Sequence, residues 1–251
     1  MALRLDDADA MIRVCDEAGV KLFVVKQNRF NVPIVKAREA LNEGRFGKLV
    51  LGTVRVRWCR DQAYYDQAAW RWTWALDGGV ISNQASHHVD MLEWFMGDVE
   101  SVHARCITAL TDIEAEDTVV ATLKFRNGAL GIIEATTATR PRDVEGSLSI
   151  LGAGGMVEVG GFAMNEIRHW MFADTRDIDR EVRERFSVRL MFMASAIRLT
   201  MITSWSASTA AMRRLSTAWR GERASSSSRR STNRLRQEPR SICGSSPNSA
   251  G

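Results

Sequence analysis

The sequence predicts an α+β fold: a predominantly antiparallel or mixed open sheet with helices on one face. Three observations carry that prediction. Four strand-like segments follow one another between residues 99 and 151, after a single helix. Asn127-Gly128 stands between two of them as a hairpin signal. A helix and a short apolar run precede all this, in the order that closes an α/β unit.

Residues 6–19 read as a helix, with Asp6, Asp7 and Asp9 near its start and Gly19 as its stop. Lys21-Leu-Phe-Val-Val25 reads as a short strand of the kind buried on both faces. After Pro33, Ile34–Asn42 reads as a helix ending at Gly44. Leu49–Trp58 alternates, with Val54 and Val56 on one face and Arg55 and Arg57 on the other. An aromatic-rich loop holds Tyr64, Tyr65, Trp70, Trp72 and Trp74, and is expected to pack rather than to stack bases. Gln84–Met96 reads as a helix stopped by Gly97. Strands are expected over Val99–Thr108, Thr118–Phe125, Ala129–Thr137 and Ser147–Leu151, with a short fifth at Met156–Val159.

The composition, 45% apolar and 25% charged over 251 residues, excludes collagen-like and wholly disordered chains. No run of eighteen apolar residues occurs, so no membrane span is expected. Met1–Asp7 lacks the basic-then-apolar layout of a signal peptide, and the four cysteines have no close spacing. Neither a disulfide framework nor a Cys-rich zinc site is expected, and the cytoplasm is the expected location. The net charge of +4 is unevenly placed. Residues 187–251 hold eleven Arg, no Lys and two acids, a balance of +9, so residues 1–186 carry −5. Fifteen of those last 65 residues are Ser, and disorder is expected over residues 220–251. Eleven arginines suit a phosphate-rich partner. They carry no aromatic stacking pattern or recognition module, so nucleic acid is not the expected partner.

The densest chemistry lies in Asp77-Gly-Gly-Val-Ile-Ser-Asn-Gln-Ala-Ser-His-His-Val-Asp90. The two glycines leave a side-chain-free approach to a ligand, and Asn83 is the expected N-cap of the helix that follows. His87 then sits near the positive end of that helix, where the dipole disfavours imidazolium. A neutral imidazole there can take a proton from a substrate hydroxyl, and Asp90 is placed to fix its tautomer. His88 shares a helical stripe with Leu92 and Phe95 and is expected on the core side. A metal site of His87, His88 and Asp90 is not expected, because adjacent helical side chains diverge by about 100°.

The Asp77–Asp90 stretch resembles the Asp-x-Gly-x-His-x-x-Asp motif of the glucose–fructose oxidoreductase/inositol dehydrogenase (Gfo/Idh/MocA) family. Val24-Val-Lys-Gln-Asn-Arg-Phe-Asn31, Trp70–Asp90 and Glu116-Asp-Thr118 resemble its UDP-N-acetyl-2-amino-2-deoxyglucuronate 3-dehydrogenases, from lipopolysaccharide O-antigen sugar synthesis. The resemblance covers residues 1–186. It implies a C-terminal substrate domain at 33–186, preceded over 1–32 by the remnant of an NAD-binding Rossmann domain. The implied reaction oxidises a sugar C3 hydroxyl, with hydride passing to NAD. His87 matches the catalytic histidine, Lys26, Asn83 and Gln84 match substrate positions, and Arg29 matches a cofactor position. A nucleotide sugar is the implied substrate, and homo-oligomers through the sheet are the implied assembly.

Two departures shape the expectations. The family's glycine-rich fingerprint and its Glu-Lys-Pro motif are not found, so a truncated dinucleotide domain and poor NAD binding are expected. The family's ending, near Gly-Phe-Gly-His-x-Ala-Tyr-Tyr, is also missing. Met193-Ala-Ser-Ala-Ile-Arg198 can be written in codons that give Gly-Phe-Gly-His-Gln when read two bases later, so residues from about Ser187 are expected to be a shifted reading of the gene. The alternatives are a non-catalytic partner of a complete homologue and a nucleic-acid binder acting through the basic tail.

Overall fold

The computed structural model describes residues 2–186. The expectations for the basic segment 187–251 lie outside the described residues.

Seven strands form one mixed sheet in the order β2-β3-β4-β1-β5-β6-β7. They are β1 Leu49–Arg57, β2 Val99–Ile107, β3 Thr118–Phe125, β4 Leu130–Thr136, β5 Glu145–Gly152, β6 Gly155–Gly160 and β7 Glu166–Phe172. Only β1 and β4 run parallel, with Val54 opposite Ile133. Every other neighbouring pair is antiparallel. The α+β expectation holds, helices on one face included.

Alternation explains the sheet. Val54 and Val56, Ala121 and Leu123, Ile133 and Ala135, and Leu148 and Ile150 all point to the helix side and are buried. Helix α4, Ser86–Met96, packs on β1 and β5 through Met91, Leu92, Phe95 and Met96. Helix α2, Val32–Asn42, buries Pro33, Ile34, Ala37 and Ala40, the spacing of one helical stripe. The β3–β4 hairpin turns at Asn127-Gly128, where Gly128 takes φ +88°.

The opposite face of the sheet is layered. One register row runs Lys124, Leu130, Leu51, Leu151, Met156 and Met171 from β3 to β7. The next row runs Thr122, Ile132, Thr53, Ser149 and Glu158, and toward the other end of the sheet Arg55, Arg57 and Arg168 interleave with Glu134, Glu145 and Glu158.

Three expectations need correction. Lys21–Val25 forms no regular element and pairs with no strand among the described residues, and Phe23, Val24 and Val25 are about half exposed. Apolar composition alone does not make a strand where no neighbour accepts its backbone groups. Strand β7 was not expected; a register shift opposite Glu158–Val159 interrupts its alternation, although Ile167 and Trp170 face the core. Nor was helix α5, Asp177–Phe186, whose sequence is mostly charged. Its anchor is tertiary: the fork of buried Arg45 closes on Asp179 at 2.8 and 2.8 Å, and Trp170 Nε1 donates to the same carboxylate at 2.6 Å. Arg45 and Trp170 hold Asp179 well below the usual carboxylate range. Helix α1, Leu5–Glu17, matches its expected span and buries only Ala8.

Candidate active site

The site forms where the chain between β1 and α4 meets the turn before α2. Asp61 caps the short helix α3, Gln62–Tyr65, by accepting from Tyr64 N at 3.0 Å. Tyr65 is buried against Trp72 and shares a 2.7 Å hydrogen bond with Thr137; burial raises its pKa to about 12. Trp72 is fully buried, as the packing reading expected, whereas Trp70 and Trp74 are about half exposed.

Asp77 organises the approach to α4. Its carboxylate accepts from Trp72 N at 3.0 Å and from Asn83 Nδ2 at 2.5 Å. Asn83 therefore does not cap the helix: the N-cap is Ala85, with no side-chain bond, and the Asn83 amide is drawn back to Asp77. Gln84 Nε2 donates to Asn83 Oδ1 at 2.8 Å and to Tyr64 OH at 3.2 Å. Beneath this segment lies Glu116, buried, with Oε2 unpartnered and Oε1 accepting from Ile81 N at 3.4 Å. Burial raises its pKa.

His87 is the second residue of α4. Its Nε2 lies 3.2 Å from Gln27 Nε2, on the 3-10 turn Gln27–Phe30. With the amide nitrogen facing it, Nε2 accepts and the ring proton is on Nδ1, which is buried and unpartnered. Burial lowers the His87 pKa, the Lys26 ammonium lowers it further, and Asp90 opposes both. The ring is therefore neutral at neutral pH, as a proton acceptor must be.

Asp90 does not orient His87. Both of its oxygens are taken by Arg29, through Nε at 2.7 Å and Nη2 at 2.8 Å. Arg29 also lies over the Trp94 ring, 4.8 Å from its centroid. Its fork is thus already committed to tying the 3-10 turn to α4.

His88 points the other way, into the core as expected, edge-on to Trp58 at 5.6 Å. Neither of its nitrogens has a partner, and burial pushes its pKa down to about 3. Among the described residues, no group of three His, Cys, Asp or Glu is placed to hold a metal ion.

The structure thus joins Lys26 and His87 on one side and Asn83 with Gln84 on the other. The sequence reading missed Gln27, Tyr64, Arg71 and the buried support from Glu116. Gln27, Arg71 and Glu116 lie inside the quoted motifs, so only their roles were hidden. Tyr64 was hidden in an aromatic loop with no periodicity.

The family profile of the GFO/IDH/MocA C-terminal domain matches residues 34–158. The chain belongs to this family. Among curated relatives, the myo-inositol 2-dehydrogenase of Thermotoga maritima is 34% identical over 140 residues, covering 53% of this chain and 40% of that protein. The D-apiose dehydrogenase of Rhizobium rhizogenes is 28% identical over 143 residues, covering 55% and 39%. Among solved structures, the WlbA dehydrogenase from Bordetella pertussis, in complex with NADH and UDP-GlcNAcA, is 51% identical with a TM-score of 0.71. The match covers 73% of this chain and 55% of that one. The WlbA dehydrogenase from Chromobacterium violaceum, also in complex with NADH and UDP-GlcNAcA, is 44% identical with a TM-score of 0.71, covering 80% and 58%. The chain thus spans about two fifths of the length of the curated relatives and rather more than half of the WlbA chains. No helix among the described residues is long and apolar enough to cross a membrane.

Proposed function

We propose that this GFO/IDH/MocA domain is the substrate half of an NAD-dependent oxidoreductase acting on a UDP-N-acetylglucosaminuronate-type nucleotide sugar at its C3 hydroxyl. The observation that carries the reading is His87: a neutral imidazole on the first turn of α4, beside Lys26, in a chain 51% identical to a dehydrogenase complexed with NADH and UDP-GlcNAcA.

The chemistry assigned to these side chains is a proton transfer. His87 Nε2, turned toward Gln27, accepts the hydroxyl proton, and burial, aided by the Lys26 ammonium, keeps the ring unprotonated before that step. Asn83 and Gln84, linked to each other and to Asp77, present amide groups to the sugar. The Arg29–Asp90 pair holds the two sides of the site in register.

The described residues do not fit a dinucleotide. The sequence contains no Gly-x-Gly-x-x-Gly, and the fork of Arg29, the expected cofactor contact, is filled by Asp90. No step is therefore assigned to NAD on this chain's residues. The half-exposed Phe23-Val24-Val25 run supports the reading of 1–32 as the edge of a dinucleotide domain and 33–186 as the substrate domain. The layered open face of the sheet supports a homo-oligomer in which a second copy covers the Leu130–Met171 row.

Calorimetric titration of the 251-residue chain with UDP-GlcNAcA tests the reading. Saturable binding is the expected result, and its absence would remove the substrate assignment.

A further inference from the structure

Arg71 forms no ion pair with any carboxylate among the described residues, although its guanidinium is held firmly in place. Its guanidinium is stacked on Tyr64, 4.7 Å from the ring centroid, and on Trp70 at 5.1 Å. Nη1 donates to Tyr64 OH at 2.9 Å, and Nε is buried without a partner. Among the described residues, no carboxylate lies within ion-pair distance of it. Arg60 stacks on the same tyrosine at 5.3 Å, but Asp143 neutralises it at 3.0 Å. Two guanidiniums thus stack on one ring, and of the two only Arg60 is ion-paired.

The direction that charge faces is limited by its neighbours. On one side Arg71 borders a cavity of about 400 Å³ also lined by Asp66, Asp112 and Glu114. Those carboxylates repel an anion. Asp66 is occupied by Gln62 Nε2, and Glu114 by Trp74 N. On the other side, Tyr64 OH accepts from both Arg71 and Gln84, and Gln84 lies three residues before His87. A hydrogen-bonded line therefore runs from Gln84, just before α4, through Tyr64 to a fork that has no ion-pair partner.

We infer that Arg71 is a specificity-determining residue that receives the diphosphate of the nucleotide sugar, with Tyr64 orienting it and Gln84 lying between it and the reacting ring. The inference rests on the substrate reading above. A sugar carboxylate offers the same anionic chemistry, but it belongs to the reacting ring and so falls nearer Lys26 and His87. The diphosphate lies outside that ring, which matches the position of Arg71 beyond Gln84. The planar fork suits phosphate oxygens two at a time.

The test is calorimetric titration of the full chain, its Arg71→Gln variant and its Arg71→Lys variant with UDP, UDP-N-acetylglucosamine and UDP-GlcNAcA. Arg71→Gln is expected to weaken all three about tenfold to a hundredfold, the scale of lost charge-assisted bonds. Arg71→Lys, which keeps the charge without the fork, is expected to fall in between. Equal binding of UDP by wild type and either folded variant overturns the inference and leaves the substrate reading standing. A loss confined to UDP-GlcNAcA overturns it in favour of the carboxylate. No binding of any probe by wild type overturns the substrate reading and this inference together.

Discussion

Arg29 closes both nitrogens of its fork on the two oxygens of Asp90, at 2.7 and 2.8 Å, across 61 residues of sequence. The pair is about three quarters or more buried on each side and ties the Gln27–Phe30 turn to the helix that carries His87. Removing either partner leaves the other largely buried and unpaired. Arg29→Ala and Asp90→Ala should each lower the unfolding free energy by about 1–3 kcal/mol, read from denaturant melts. The double variant should lose less than the sum of the two, because both remove one interaction. Strictly additive losses would show that the pair is not coupled.

His87 should titrate below the ordinary imidazole midpoint of about 6.5, since burial and Lys26 both disfavour its charged form. The sign follows directly. A lowered pKa keeps the proton-accepting form populated to lower pH, so any turnover should fall only on the acid side of about pH 6.5. Histidine NMR titration checks the midpoint, and His87→Ala should reduce any turnover of UDP-GlcNAcA by about two to four powers of ten. A midpoint at or above that of a free imidazole contradicts the assignment.

Much of the scaffold was legible in the sequence, and the limits have a common cause. Val54, Val56, Ile133 and Leu148 announce their strands because burial on one face repeats every second residue. His88 announces its core side through Leu92 and Phe95. Asp90 was misassigned to His87, and Asn83 to the helix cap, because each answers to a partner chosen by tertiary structure: Arg29 and Asp77. Helix α5 shows the same limit. Its mostly charged sequence looks like solvent-facing chain until buried Arg45 pairs with Asp179. Lys21–Val25 fails in the opposite sense, since its apolar pattern asks for a neighbour that the described residues do not provide.

His88 makes the fold acid-sensitive. Its folded pKa of about 3 lies below the unfolded value near 6.5. Above pH 6.5 neither state binds the proton. Between about 6.5 and 3 only the unfolded state does, so stability declines through that window and levels off below it. His88→Leu removes that linkage and two unpartnered buried nitrogens. The variant should be as stable as wild type or more so at pH 7, and should lose less stability between pH 7 and pH 5. Parallel pH dependences in urea melts would exclude His88 as the source.

The exposed row on the open sheet face, with Leu130 at 56% and Met171 at 55% exposure, should be where copies of the chain meet. Leu130→Glu with Met171→Lys should shift the mass measured by light scattering toward the monomer while leaving circular dichroism unchanged. A wild-type chain that is already monomeric at micromolar concentration would refute this use of the face.

Gly79 and Glu116 form the tightest constraint beneath the loop that delivers Asn83, Gln84 and His87. A Cβ at Gly79 would fall 1.9 Å from the Glu116 carboxyl, far inside van der Waals contact, and Glu116 is itself buried with little room to withdraw. Gly79→Ala should therefore destabilise the fold by about 1–3 kcal/mol, the usual scale of overpacking. Glu116→Ala removes the obstructing carboxyl, so Gly79→Ala should cost less in that background. If the glycine were needed only for backbone freedom, the same loss would persist without Glu116. A denaturant-melt cycle over the four proteins separates the two causes, since steric conflict gives a coupling term and backbone strain gives none.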